Sequence, residues 1–165
     1  MNLTKKILIT GGGGYVGAQL VPLLLKKGYN VGVLDIFIYG ERVLEPHKNL
    51  TLIKGDIRNR EILNNIFPNY DTILHLACIS NDPSFELNPD LGKSINLDSF
   101  QPMIKIAIDS GIKKFIYASS SSVYGVKKEP NVTEEMKLEP LTDYSKYKAQ
   151  CEEILQKYTS DSFHT

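Results

Sequence analysis

Apolar runs and amphipathic stretches alternate along the chain from end to end. Lys6-Ile7-Leu8-Ile9-Thr10 is a β-rich run cut off by four glycines, and residues 15–27 then carry apolar side chains at helical spacing as far as Gly28, a glycine in the C′ place. Residues 30–35, 50–54 and 72–77 read as buried strands, and a short helix at 60–66 between the last two is broken by Pro68 and Asn69. Residues 89–110 read as one long helix closed by Gly111, followed by a fifth strand at 114–118 that runs into four serines. Residues 126–140 are polar and irregular, with Pro130 and Pro140 as breakers. Thr142 can then N-cap a last helix at 143–158, whose first turn is acidic as the helix dipole prefers.

Strands that alternate with helices predict an α/β fold with a parallel sheet. Right-handed crossovers between five strands predict a Rossmann-like, doubly wound sheet in the order 3-2-1-4-5. Phe163 and His164 look like the beginning of a sixth strand. Residues 1–165 are therefore expected to form one Rossmann-like domain, the N-terminal part of a longer chain.

Composition narrows the classes of partner. Of 165 residues, 42% are hydrophobic and 23% charged, which suits one globular domain and excludes a disordered tail. Nineteen basic residues balance nineteen acidic ones, so no overall basic field points to nucleic acid. Apolar runs such as 21–25 are far shorter than the roughly 20 residues that cross a bilayer, so no membrane partner is expected. The stretch that follows the basic N-terminus, Ile7 to Ile9, is too short for a signal-peptide core, and a cytoplasmic location is expected. The two cysteines, Cys78 and Cys151, lack CxxC spacing and read as free thiols, with Cys78 a buried structural one.

The glycine loop Thr10-Gly11-Gly12-Gly13-Gly14-Tyr15-Val16-Gly17 lies between the first strand and a helix, where glycines let the backbone approach a pyrophosphate at the helix N-terminus. Asp35 ends the second strand eighteen residues after Gly17, where its carboxylate can bond both adenosine-ribose hydroxyls and repel a 2′-phosphate. NAD is thereby favoured over NADP, although the nearby Arg42 leaves NADP open. Asp56, in Gly55-Asp56-Ile57 at the end of the third strand, can meet the adenine amino group or simply close a turn.

Tyr144 and Lys148 are four apart on the last predicted helix and so share one face, where the ammonium can lower the phenol pKa. Such a phenol can serve as a general base on a sugar or alcohol hydroxyl. Tyr124 and Lys128 have the same spacing but fall in an irregular segment. A hydroxyl from Ser119 to Ser122 at the end of strand five can meet a substrate oxygen opposite Tyr144.

Together the glycine loop, Asp35, His75-Leu76-Ala77, Asn96, the 119–125 segment and Tyr144-Ser-Lys-Tyr-Lys148 resemble the extended short-chain dehydrogenase/reductases, in the NAD-dependent nucleotide-sugar epimerase/dehydratase branch. The resemblance implies that Ser120, three positions before Val123-Tyr124-Gly125, is the catalytic hydroxyl, Tyr144 the base and Lys148 its partner. It implies NAD held by Gly11, Gly14, Tyr15, Val16, Gly17, Asp35, Asp56, Ile57 and Ala77, together with Tyr144 and Lys148. The 4,6-dehydratases carry an Asp-Glu pair after the hydroxyl; Ser121 and Ser122 stand there, so the pattern is closer to UDP-glucose 4-epimerase-like members. The implied activity is epimerisation of a nucleotide sugar by transient oxidation at C4 in a homodimer. A nucleotide-sugar 4-dehydrogenase or reductase shares every one of these residues, and a non-enzymatic NAD-binding module is the alternative for a chain complete at 165. His75 reads as structural, no Cys/His/Asp cluster has metal-ligand spacing, and residues 79–84 read as a polar loop that can touch the sugar or form a plain turn.

Overall fold

The structure, a computed structural model, describes residues 5–165; Met1–Thr4, on which part of the leader reading falls, lie outside the described residues. Five strands, β1 (Lys6–Thr10), β2 (Asn30–Asp35), β3 (Leu50–Lys54), β4 (Thr72–His75) and β5 (Lys114–Tyr117), form one sheet in the order β3-β2-β1-β4-β5. Every pairing is parallel, with Ile7 opposite both Val31 and Thr72. The expected doubly wound order is the one observed, and it puts Thr10, Asp35, His75 and Tyr117 along a single edge, the carboxyl ends of their strands.

Side chains alternate across each strand, so consecutive residues of β1 serve two cores. Leu8 packs with Leu34, Ile73, Phe100 and Phe115 on the face covered by α2 (Arg60–Ile66), α5 (Phe100–Asp109) and α6 (Asp143–Tyr158). Ile9 packs with Val31, Val33, Val21 and Leu25 on the face covered by α1 (Tyr15–Lys26). Phe67, Phe100, Phe115 and Phe163 are wholly buried, each contributing about 1.5–3 kcal/mol of apolar transfer free energy. β3 departs from the sequence expectation of a buried strand: it is the sheet edge, and Thr51, Leu52 and Lys54 are exposed.

Gly28 and Gly111 have φ of +86° and +78° after their helices, as glycine in the C′ place requires. The helix expected at 89–110 is interrupted. It consists of α4 (Pro89–Lys93), a π turn at Ser94–Asp98 and α5, and the π turn carries Asn96 inward. The segment expected as a polar loop at 79–84 is also partly helical: α3 (Asp82–Glu86) is capped by the Asn81 side chain, which accepts the Ser84 amide, and starts with Pro83 in its first turn. Strands β4 and β5 stop two residues and one residue earlier than expected. After α6 the chain returns to the sheet, where His164 bridges Lys114 in parallel and the Phe115 amide donates to the His164 carbonyl at 2.8 Å.

Candidate active site

The glycine loop is shaped by backbone that comes too close for side chains. Gly11 has φ +73°, and a Cβ there would stand 2.5 Å from the Ala77 amide nitrogen; one on Gly17 would overlap the Gly12 carbonyl. The Gly13 N–H donates to Asp35 Oδ2 at 2.9 Å and the Phe37 N–H donates to Oδ1 at 2.7 Å, so the carboxylate fixes both the loop and the turn after β2. No backbone carbonyl among the described residues accepts the Tyr15 and Val16 amides, and the first turn of α1 contains no acid. The Tyr15 side chain is 92% exposed. Free amides, the positive end of a twelve-residue helix and a cradle that any Cβ would fill together fit a dinucleotide pyrophosphate, with Asp35 beside it for a ribose.

Asp56 closes a turn at the end of β3. Its carboxylate accepts the Arg58 amide at 2.8 Å and the Arg58 guanidinium at 2.5–3.1 Å. The guanidinium hydrogen bonds hold its carboxyl below the ordinary range, against the opposing effect of burial. Ile57 is buried in the core, and Ala77 is half-buried against Gly11.

The second group of residues gathers where β5 ends and α6 begins. Thr142 and Ser145 form a reciprocal cap: the Ser145 amide donates to Thr142 Oγ1 at 3.3 Å and the Thr142 amide to Ser145 Oγ at 3.0 Å. That cap sets the direction of the turns carrying Tyr144 and Lys148. Lys148 is only 4% exposed, and its ammonium donates to the Ala118 carbonyl at 2.7 Å while lying 4.7 Å from the Tyr117 ring centre and 5.8 Å from that of Tyr144. The phenol of Tyr144 is pushed above its ordinary pKa by burial and by Cys78, drawn down by a hydrogen bond with the Ser120 side chain, and pushed up again by the charge of Asp82. The expected lowering by Lys148 is not found: the phenol is raised, and the ammonium is directed at the Ala118 carbonyl.

Among the serines, Ser119 donates to Glu152. Ser120 caps the 3-10 turn Ser121–Tyr124, accepting the Ser122 amide at 3.2 Å, with its Oγ 2.8 Å from that of Ser122. Of the four serines, Ser120 is the one whose side chain acts to lower the Tyr144 pKa. Tyr124 ends the 3-10 turn and Lys128 follows outside any helix. Cys78 is half-buried beside this group rather than a core thiol, whereas Cys151 is buried; both are free.

His75 is 3% exposed, stacked among Phe100, Phe115 and Tyr117, with Nδ1 2.6 Å from Thr10 Oγ1. Burial, helped by the charge of Lys148, pushes its pKa down to about 3, so it is a neutral structural side chain. Asn96, part of the family resemblance, and two residues that carry no motif signal of their own complete the neighbourhood. The Asn96 amide takes the Ile79 N–H and returns a bond to the Ile79 carbonyl, both at 2.9 Å, and its own carbonyl accepts the Cys151 thiol at 3.2 Å. Phe85 and Asp82 come from α3; the aromatic at 85 and the acid three before it are the only signs of them in the sequence. Among the described residues there is no cluster of three or more potential metal ligands, and no helix is long and apolar enough to cross a membrane.

A parallel doubly wound sheet with a glycine cradle at its switch point and a serine, tyrosine and lysine at the end of β5 defines the short-chain dehydrogenase/reductase class of dinucleotide-binding folds. The sequence model of the NAD dependent epimerase/dehydratase family matches residues 7–164, and the chain belongs to that family. It is 31% identical over 163 residues to a bifunctional UDP-glucose 4-epimerase and UDP-xylose 4-epimerase of Pisum sativum, covering 92% of this chain and 47% of the relative. A UDP-N-acetylglucosamine 4-epimerase from Methanobrevibacter ruminantium superposes with a TM-score of 0.86 at 30% identity, over 94% of this chain and 50% of the other. The Bordetella bronchiseptica enzyme WbmG, solved with NAD, gives 0.84 at 26%, over 97% and 51%. The chain spans about half the length of these relatives.

Proposed function

We propose that the polypeptide carrying this chain binds NAD on the glycine cradle and epimerises a nucleotide sugar by transient oxidation at C4. The observation that carries the proposal is the convergence of Ser120, Tyr144 and Lys148 at the carboxyl end of β5, on the same sheet edge as the cradle and Asp35. The Pisum sativum and Methanobrevibacter ruminantium relatives are UDP-sugar 4-epimerases, which makes a UDP-hexose the first substrate to try.

NAD bound on the cradle supplies the hydride acceptor and donor, and in its oxidised form a positive charge. The protein side of the chemistry falls to three groups. Tyr144 takes the proton of the sugar 4-hydroxyl and holds it until the keto sugar has turned its other face, then gives it back. Ser120 donates a hydrogen bond to the oxygen that becomes the ketone. Lys148 holds a positive charge 5.8 Å from the centre of the Tyr144 ring, where it favours the phenolate form that a base requires. The proposal includes a homodimer paired through the helical segment at 89–109 and α6, which sedimentation of the purified protein checks.

The test is Tyr144→Phe in the NAD-loaded protein, assayed for interconversion of UDP-glucose and UDP-galactose. Turnover should fall by about 100-fold or more with NAD affinity unchanged, because only the proton carrier is removed. An unchanged rate removes the assignment. Release of a keto sugar with stoichiometric reduction of the cofactor would favour the 4-dehydrogenase reading, and NAD binding without turnover of any nucleotide sugar the non-enzymatic module.

A further inference from the structure

Ser122 approaches one atom twice, the Oγ of Ser120. Its amide donates to that oxygen at 3.2 Å, and its own hydroxyl lies 2.8 Å from it. The backbone around the pair is pinned on both sides. Upstream, Ala118 and Ser119 are tied to successive turns of α6, by the ammonium of Lys148 at 2.7 Å and by the carboxylate of Glu152. Downstream, the Val123 amide donates to the Ser120 carbonyl and the Gly125 amide to the Ser122 carbonyl, both at 3.2 Å, which closes the 3-10 turn. These ties fix where the Ser120 oxygen sits; the direction of its proton is left to the partner hydroxyl.

A hydroxyl has one proton to give and two lone pairs to fill. The Ser122 amide fills one lone pair of Ser120. If the Ser122 hydroxyl fills the second, the Ser120 proton is free to face the site. If the pair runs the other way, that proton is spent on Ser122 and Ser120 shows the site a lone pair. Only the first arrangement suits an oxygen that gains negative charge, because such an oxygen calls for a donor. A donor is also what a Tyr144 phenolate calls for, and the Ser120 side chain does draw that phenol down. The Ser122 hydroxyl makes no other hydrogen bond among the described residues, so nothing else claims its proton.

We propose that Ser122 is a positioning residue: its hydroxyl donates to Ser120 Oγ and so commits the Ser120 proton to the sugar oxygen that becomes the ketone. The inference rests on the proposed function in that it places that oxygen at Ser120. It adds to that reading the group that sets the direction of the hydrogen bond.

The experiment reads the binding of a ketone, which accepts hydrogen bonds and gives none, so it is separate from the epimerase assay. The full-length protein loaded with oxidised NAD, which has no hydride to give, is titrated by calorimetry with UDP-4-keto-6-deoxyglucose. UDP, which lacks the sugar oxygen, is the control. Ser122→Ala should weaken binding of the keto sugar by about fivefold or more, with UDP affinity, NAD affinity and melting temperature unchanged. In a Ser120→Ala background the same change should cost less than about twofold, whereas a merely structural role would cost the same with or without Ser120. Should the alanine variant fail to fold, Ser122→Val set against Ser122→Thr, alike in shape but differing in the hydroxyl, carries the same expectation. A keto-sugar affinity within about twofold of wild type in the folded variant overturns the inference, as does an equal loss in the two backgrounds or no binding of the keto sugar at all. If the affinities shift as expected while the wild-type protein turns over no nucleotide sugar, the inference stands and the epimerase reading fails; turnover lost with Tyr144→Phe but keto-sugar affinity unmoved by Ser122→Ala gives the reverse.

Discussion

Lys148 donates its ammonium to the carbonyl of Ala118 at 2.7 Å, tying the second turn of α6 to the residue just past β5. The bond orients the helix that carries Tyr144 relative to the strand end that carries Ser120. It also keeps a buried cation in place at the site without an acidic partner among the described ion pairs.

Lys148→Met keeps the length of the side chain and removes the charge. The change removes the cost of burying a cation but leaves the Ala118 carbonyl without its donor, at about 1–3 kcal/mol; the two oppose, so the melting temperature should move by only a few degrees. Epimerase turnover should fall by about 100-fold or more, since the phenolate loses its positive neighbour. A variant that melts normally and turns over at the wild-type rate would show that the ammonium is a tether alone.

Asp35 is the acceptor for two backbone amides and carries the charge next to the cradle. Asp35→Asn preserves an acceptor oxygen but not the repulsion of a 2′-phosphate. Calorimetric titration should give an NADP-to-NAD affinity ratio raised by about tenfold or more. An unmoved ratio would assign Asp35 to loop geometry only.

A methyl group on Gly17 has nowhere to go, because the Gly12 carbonyl occupies the space and backbone cannot swing aside as a side chain can. Gly17→Ala should destabilise the protein by about 1–3 kcal/mol in urea unfolding and weaken NAD binding in parallel. Stability loss without loss of affinity would separate the packing of α1 from the cradle.

His75 makes stability depend on pH with a definite sign. Its folded pKa of about 3 lies below the unfolded value of 6.5, so the unfolded chain binds the extra proton between those two values. Stability is full above pH 6.5 and falls on acidification, at up to about 1.4 kcal/mol per pH unit within the window. Between pH 6.5 and 5, wild type should therefore lose up to about 2 kcal/mol more than His75→Asn, in which other titrations cancel. Equal losses in urea unfolding at the two pH values would show that His75 is protonated without opening the core.

Elements defined by glycine stops, capping residues and long periodic runs were legible in the sequence. β1, β2, α2 and α6 begin and end where the pattern puts them, and the strand order follows from the rule of right-handed crossovers. What was illegible depends on contacts distant in sequence. The π turn at Ser94–Asp98 interrupts a run whose periodicity looks unbroken, and Asn96 meets Ile79 across seventeen residues. The exposure of β3 reflects its place at the sheet edge, which composition does not reveal. Tyr144 and Lys148 stood out by their spacing and Ser120 by the family resemblance, but the environment of Tyr144 was not legible. That environment is set first by burial and then by Cys78, Ser120 and Asp82, which come from two other segments, while the ammonium bonds to a carbonyl instead.

The paired bonds between the Asn96 amide and both polar groups of Ile79 join the segment after β4 to the π turn ahead of α5 as one mechanical piece. The Ile79 amide proton has no other acceptor among the described hydrogen bonds, so its exchange with deuterated solvent registers separation of the two segments. A single backbone proton thus serves as a gauge of whether that piece holds together.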